Sequence, residues 1–479
     1  MTLNKIIGFA LGPIAGAAFG LITVPVVAWA FSADDLGRLN ILQVTQSFCL
    51  LFLVLGLDQA YVREYHESKD RASLLKACFA PGFVLLVISS ILIIGFKTEV
   101  ALWLFGMANP TLFWLTLASV MVSFSSRFLS LILRMQERGL AFSLSQIIPK
   151  ALLLVLIGVI VWIDLPRNFS TLVWAFLASL ISVAVVYIWN TRSLLRAALK
   201  SNIERERIYY LLRFGAPLIF SGLAYWGLSA TSSVALRSLS TFSELGVYAV
   251  TVSIAGVAAI FQSIFTVVWA PIVYKWVAEG VDPGRIDKVG RHVLGAVCAI
   301  FLACGLFSWM AEYFLPPQYS AVKYLVLCAI AQPLLYTLSE VTCVGIGISR
   351  RTMLTVWVTL LALCANVLLC WWLVPLYGAT GAVISNAVAY LVFFVARTEA
   401  SAYVWRPFPR VRLYVFTTGA VALAVFTVAL GPSAPIHYSI VWLALTPLIA
   451  WSFRAELKEM LTTGRVAWER RTQKAGRAI

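Results

Sequence analysis

Five ionisable side chains stand among almost wholly apolar neighbours: Asp58 and Arg63 in LGLDQAYVREYHE, Arg127 in VSFSSRFLSL, Lys150 in SQIIPKALLL and Glu340 in TLSEVTCVG. A charge at the centre of a bilayer costs roughly 2.5–3.5 kcal/mol on insertion scales, so each must face protein or water rather than hydrocarbon. That makes these five the candidates for chemistry. Arg127 and Lys150 fall in successive apolar runs and could place two cations on one cleft wall, where they would attract an anion. The same residues admit a structural reading in which one of them pairs with Asp58 or Glu340. Asp58 and Arg63 lie within two turns of the end of their run and can snorkel toward loop charges. Asp58 or Glu340 could titrate in a proton-coupled cycle, and either suits equally well a permanent arginine partner.

The elements that carry these residues must be membrane helices. Of 479 residues, 61% are hydrophobic and 12% charged, outside the range of soluble domains. Crossing about 30 Å of hydrocarbon takes roughly 20 residues. Apolar runs of that order occur near 6–31, 40–62, 73–96, 111–133, 141–163, 169–190, 211–236, 247–274, 292–315, 321–346, 352–374, 379–396, 412–431 and 436–453. They predict about fourteen spans, the last pair being interrupted by GPSAP. The first run is too long for a signal peptide and is expected to be retained.

Lys and Arg cluster in alternate loops, at 63–76, 134–138, 192–207, 275–291, 350–351 and 397–412, while the intervening loops carry about one basic residue each. By the positive-inside rule, both termini are expected in the cytoplasm. The net charge of +16 then reflects topology and the basic tail beside an anionic leaflet, not nucleic acid. The chain divides into a first six-helix bundle (1–190), a basic linker (191–210), a second bundle (211–397), an extra helix pair (398–453) and a basic tail (454–479). FSADDLGRLNILQVTQSF at 31–48 matches LSTFSELGVYAVTVSIAGV at 239–257, each with an acidic-Leu-Gly turn between the first two spans of its half. An all-α transporter of two repeated bundles around a central cleft is the expected architecture.

Several chemistries are disfavoured. No GxxxxGK[ST] motif is present for nucleotide hydrolysis, and no acidic pair sits on a large loop as a membrane glycosyltransferase, polymerase or ligase would need. The eight cysteines fall in or at the ends of spans without CxxC spacing, and the three histidines are scattered, so neither disulfide, metal nor cofactor is expected.

LGLDQAYVREYHE at 55–67, RMQERGLAFSLSQIIPKALLLVL at 134–156, LPPQYSAV at 315–322 and the block from 349 to 390, with Asn366, Pro375, Gly378 and Gly381 in an N…P-x-x-G-x-x-G pattern, resemble the polysaccharide-transporter family of O-antigen and exopolysaccharide flippases. The resemblance implies the multidrug/oligosaccharidyl-lipid/polysaccharide exporter fold and a polyprenyl-diphosphate-linked oligosaccharide as substrate, with membrane lipids and other polysaccharide assembly proteins as partners. Under it, Arg127, Lys150 and Arg63 would bind the diphosphate, and Asp58 and Glu340 would serve coupling or ion pairing. Tyr225, Trp226, Gln262 and Trp269 could meet the sugar, or serve only as packing residues. The extra helix pair departs from twelve-span members and also fits the lipid II flippase branch. A cation-coupled exporter of small molecules, which would want an acidic cleft, is the rival from another class.

Overall fold

The structure, a computed structural model, describes residues 3–459 apart from 203, 283, 432, 434 and 457. Most of the basic tail expected over 454–479 lies outside the described residues. The helices, in chain order, are α1 (Leu3–Ala30), α2 (Ala33–Val54), α3 (Leu57–Glu64), α4 (Arg71–Ile93), α5 (Lys97–Phe105), α6 (Pro110–Met135), α7 (Gly139–Trp162), α8 (Phe169–Lys200) and α9 (Arg205–Leu239). They continue as α10 (Phe242–Ala278), α11 (Gly284–Phe307), α12 (Ala311–Phe314), α13 (Val322–Ala329), α14 (Ala331–Thr342), α15 (Val344–Ile348), α16 (Met353–Val404), α17 (Val411–Leu430) and α18 (Pro435–Ser452). Eleven of the described helices are long and apolar enough to cross a membrane. One of them, α16, carries two expected spans, because Gly378 breaks it at φ 51° and ψ −127°.

The outer surface confirms the solvent. Ile91, Leu92, Trp162, Leu368 and Trp371 all stand exposed, an arrangement that water would penalise and hydrocarbon accommodates. The first half of the chain, α1–α8, and the second, α9–α16, meet where α1 and α2 pack on α10, and α17 and α18 pack on the second half through α11, α13 and α16.

The repeated motif shows how the bundles are related. Ser32 caps α2 by accepting from Asp35 N at 3.2 Å, and Thr241 caps α10 by accepting from Glu244 N at 3.2 Å. The two capped helices then cross. A Cβ on Gly37 would lie 3.0 Å from the Phe242 carbonyl carbon, and one on Gly246 would lie 2.7 Å from the Ala33 carbonyl carbon. Ala33 and Phe242 occupy equivalent positions in the two motifs, so the contact is reciprocal about a pseudo-two-fold axis. Around it, the Arg38 and Arg237 guanidinium groups each sit 4.7 Å from the Phe242 ring centre. Arg38 also donates to Phe105 O at 3.0 Å, and Arg237 to Trp103 O at 2.7 Å. The bundles are thus locked together at the end opposite the basic loops.

Candidate functional site

The apolar run at 40–62 is not one helix. Leu55 and Gly56 both take left-handed backbone angles, φ 55° and 69°, so α2 stops at Val54 and α3 starts afresh at Leu57. Glycine accepts that geometry freely, whereas a leucine there costs roughly 1–2 kcal/mol. The break lets the backbone approach α9 across the bundle boundary: a Cβ on Gly56 would lie 2.8 Å from the Gly215 carbonyl carbon, and one on Gly215 would lie 2.5 Å from Leu55 O.

The new helix begins with Asp58, whose Oδ1 accepts from the Gln59 amide at 2.8 Å. Its Oδ2 accepts from Arg127 on α6, at 2.6 Å from Nη2 and 3.2 Å from Nε, and from Gln59 Nε2 at 3.3 Å. The pair is unequal in exposure. The Asp58 side chain is 9% exposed and that of Arg127 is 46% exposed, so the carboxylate backs a cation whose other face is open.

That face looks into a cavity of about 910 Å³ between the bundles, walled by α2, α3 and α6 on one side and α9 on the other. It extends from Arg63 and Phe214 to Ser47 and Trp226. Arg63 lies 4.6 Å above the Phe214 ring centre, and Trp226 donates its indole N–H to Ser47 Oγ at 3.0 Å. The charged groups lining the cavity are Asp58, Arg63 and Arg127, two cations against one anion. Toward the basic end, Tyr210 donates to Glu64 at 3.3 Å and Arg207 to Ser68 at 2.5 Å, fastening α9 to the segment after α3.

Three of the five candidates therefore meet in one cleft, and two do not. Lys150 is not among the residues lining this cavity; it donates to Gly16 O on α1 at 2.6 Å. Glu340 lies in the second bundle, where Arg397 donates to it at 2.7 Å and to Ser339 Oγ at 2.9 Å. Tyr336 and Phe393 flank that guanidinium at 5.6 and 5.4 Å. Arg397 is legible in the sequence only as a loop-end cation of the α16 region; the signal that marks it is its position four residues after the buried Phe393 and seven after the buried Tyr390, on the same face of the helix. Of the aromatic candidates, Trp226 lines the cavity, Trp269 is buried and donates to Glu340 O at 3.1 Å, and Tyr225 packs edge-on against Tyr336.

A family model described as polysaccharide biosynthesis protein matches residues 2–276. The fold is similar to a lipid II flippase, MurJ, in an inward closed conformation, with a TM-score of 0.67 at 11% identity over 95% of this chain and 100% of that one. It is also similar to an inward-facing multidrug resistance MATE family transporter of the MOP superfamily, with a TM-score of 0.55 at 16% identity over 81% of this chain and 95% of that one. No curated protein matches the chain. The family match spans more than half of the sequence, and the chain belongs to the polysaccharide biosynthesis protein family.

Proposed function

We propose that this member of the polysaccharide biosynthesis family is a flippase, turning a polyprenyl-diphosphate-linked oligosaccharide across the cytoplasmic membrane by alternating access of its two bundles. The observation that carries the reading is the inter-bundle cavity of about 910 Å³ with the Arg127 and Arg63 guanidinium groups open to it. A diphosphate cannot enter hydrocarbon without a cation, and guanidinium meets phosphate oxygens edge to edge through paired N–H donors. Ser47, Gln59 and Trp226 offer the polar and aromatic surface a sugar needs. The polyprenyl tail stays between helices in lipid.

On this reading the basic end faces the cytoplasm, so both termini lie there and the headgroup enters past Arg63 before reaching Arg127. The excess of cations in the cleft runs against an exporter of cationic drugs. Arg63 and Arg127 bind the headgroup, while Lys150 holds α7 to α1 and Glu340 holds Arg397. Lipid II, itself a diphosphate-linked polyprenyl saccharide, is a second reading. It is favoured by the likeness to the lipid II flippase, which covers 95% of this chain and 100% of that one.

The test is flipping in proteoliposomes of two labelled lipids, a polyprenyl-diphosphate oligosaccharide and lipid II, scored by accessibility to an external enzyme. The Arg63→Gln, Arg127→Gln double variant should lose at least about tenfold in rate, the worth of one charged hydrogen bond. Wild-type rates in the double variant would refute the headgroup site. The relative rates of the two lipids decide between the two substrates.

A further inference from the structure

We propose that Asp58 occupies the place of the substrate's anion in the empty cleft and is displaced from Arg127 when a diphosphate enters. The inference rests on the reading of the cleft as a diphosphate site and says how that site selects its ligand. Asp58 meets the Arg127 guanidinium edge with one oxygen, accepting from both Nη2 and Nε, as a phosphate oxygen would. The site is therefore filled by the protein's own carboxylate until something more highly charged arrives.

Three features make the carboxylate replaceable. Arg127 is half exposed to the cavity, so an incoming anion reaches it without first breaking the pair, and half-exposed pairs are weak. Asp58 retains partners after release, because its other oxygen accepts from the Gln59 amide at 2.8 Å and the Gln59 side-chain nitrogen lies within 3.3 Å. Finally, it rides on the eight-residue α3, separated from α2 by the left-handed residues Leu55 and Gly56, so it can shift without carrying α2 along. The other charge on the cavity, Arg63, rests on Phe214 with only a long contact of 3.8 Å to Glu64 and does not compete for Asp58.

The consequence is selectivity. An anion of one charge gains little by replacing a carboxylate, whereas a diphosphate brings more than one charge and more acceptors to Arg127 and Arg63 together. Singly charged lipid headgroups of the surrounding bilayer are rejected by the same exchange.

The experiment measures binding of farnesyl diphosphate, with farnesol as the uncharged control, to the full chain in nanodiscs. Asp58→Asn removes the competitor and should bind the diphosphate about fivefold tighter than wild type, the worth of one half-exposed ion pair. Farnesol binding should not change. Asp58→Glu keeps the competitor and should bind like wild type; Asp58→Ser replaces the amide variant if the latter does not accumulate. A carboxylate that merely orients Arg127 gives the opposite sign. Equal or weaker diphosphate binding by Asp58→Asn, beside a wild type that does bind, overturns the displacement and leaves the diphosphate site standing. Absence of charge-dependent binding in both proteins overturns the two together.

Discussion

On the alternating-access proposal, the crossing of α2 and α10 acts as a gate whose closed state depends on two glycines. A Cβ on Gly246 would come within 2.7 Å of the Ala33 carbonyl carbon, and one on Gly37 within 3.1 Å of the Gly246 nitrogen. Ordinary carbon contacts lie at about 3.5–4.0 Å, so an alanine at Gly246 requires the helices to part by about 1 Å. Overpacking of that kind costs roughly 1–3 kcal/mol. The two helices belong to different bundles, so the penalty falls on the closed state alone. A penalty of about 2 kcal/mol shifts the closed-to-open ratio about 30-fold. Spin labels at Thr111 and Ser243, both exposed at this end, should report it as a new long-distance population in Gly246→Ala. The background would lack the accessible Cys49, Cys304, Cys343 and Cys364. Gly256→Ala, on the same helix where a Cβ meets nothing within 4 Å, should leave the distribution unchanged. An unchanged distribution in a folded Gly37→Ala, Gly246→Ala double variant would show that this crossing is not the gate.

Gly378→Ala should lower the unfolding temperature in detergent by the equivalent of about 2 kcal/mol, since the residue sits at φ 51° and its Cβ would lie 2.5 Å from Glu244 Oε2. A variant as stable as wild type would mean the break relaxes freely. Glu340→Gln should cost about 3 kcal/mol by leaving Arg397 short of its anion, while replacing both partners with Leu and Met should recover most of it; a double variant no better than the single one argues against the pair as the cause. At the basic end, burial opposes the charge on Glu456, but the hydrogen bond from Arg412, a backbone hydrogen bond and the charges of Arg412 and Arg291 together outweigh it and hold that carboxyl below its ordinary value. The stabilisation is complete above the ordinary glutamate pKa and is lost as pH falls through the lowered one. Thermal stability should therefore drop more steeply below about pH 4 in wild type than in Glu456→Gln, and parallel slopes would remove Glu456 from the account.

Apolar length was enough to mark the eleven described helices that are long and apolar enough to cross a bilayer, because hydrocarbon permits few other backbone arrangements. The acidic-Leu-Gly repeat marked the symmetric crossing as well, since a small residue one turn into a capped helix has the same use in both halves. What escaped was where helices break. Prolines at 149, 217 and 271 lie inside helices that continue on both sides of them. The sharpest discontinuities fall instead at Leu55–Gly56 and Gly378. A leucine in the left-handed region has no local signature. It accompanies a close approach to Gly215, more than a hundred residues away, where a Cβ would lie 2.5 Å from Leu55 O.

The site escaped for a related reason. Depth in the membrane can be read from position in an apolar run, and it set Asp58, Arg63, Arg127, Lys150 and Glu340 apart. Which of them share a cleft depends on how each helix is rotated, and rotation follows from packing rather than depth. Arg127 and Lys150 lie on successive spans, yet one turns to Asp58 and the cavity while the other turns to the Gly16 carbonyl. The breaks then do what an unbroken helix cannot. At each, a carboxylate accepts from a first-turn amide: Asp58 from Gln59 N, and Glu244 from Ala379 N at 2.8 Å. In the second bundle the carboxylate comes from a neighbouring helix and its role ends there. In the first it belongs to the broken helix itself and also holds the cation of the cleft, so the one ion pair that faces the cavity is built on a hinge.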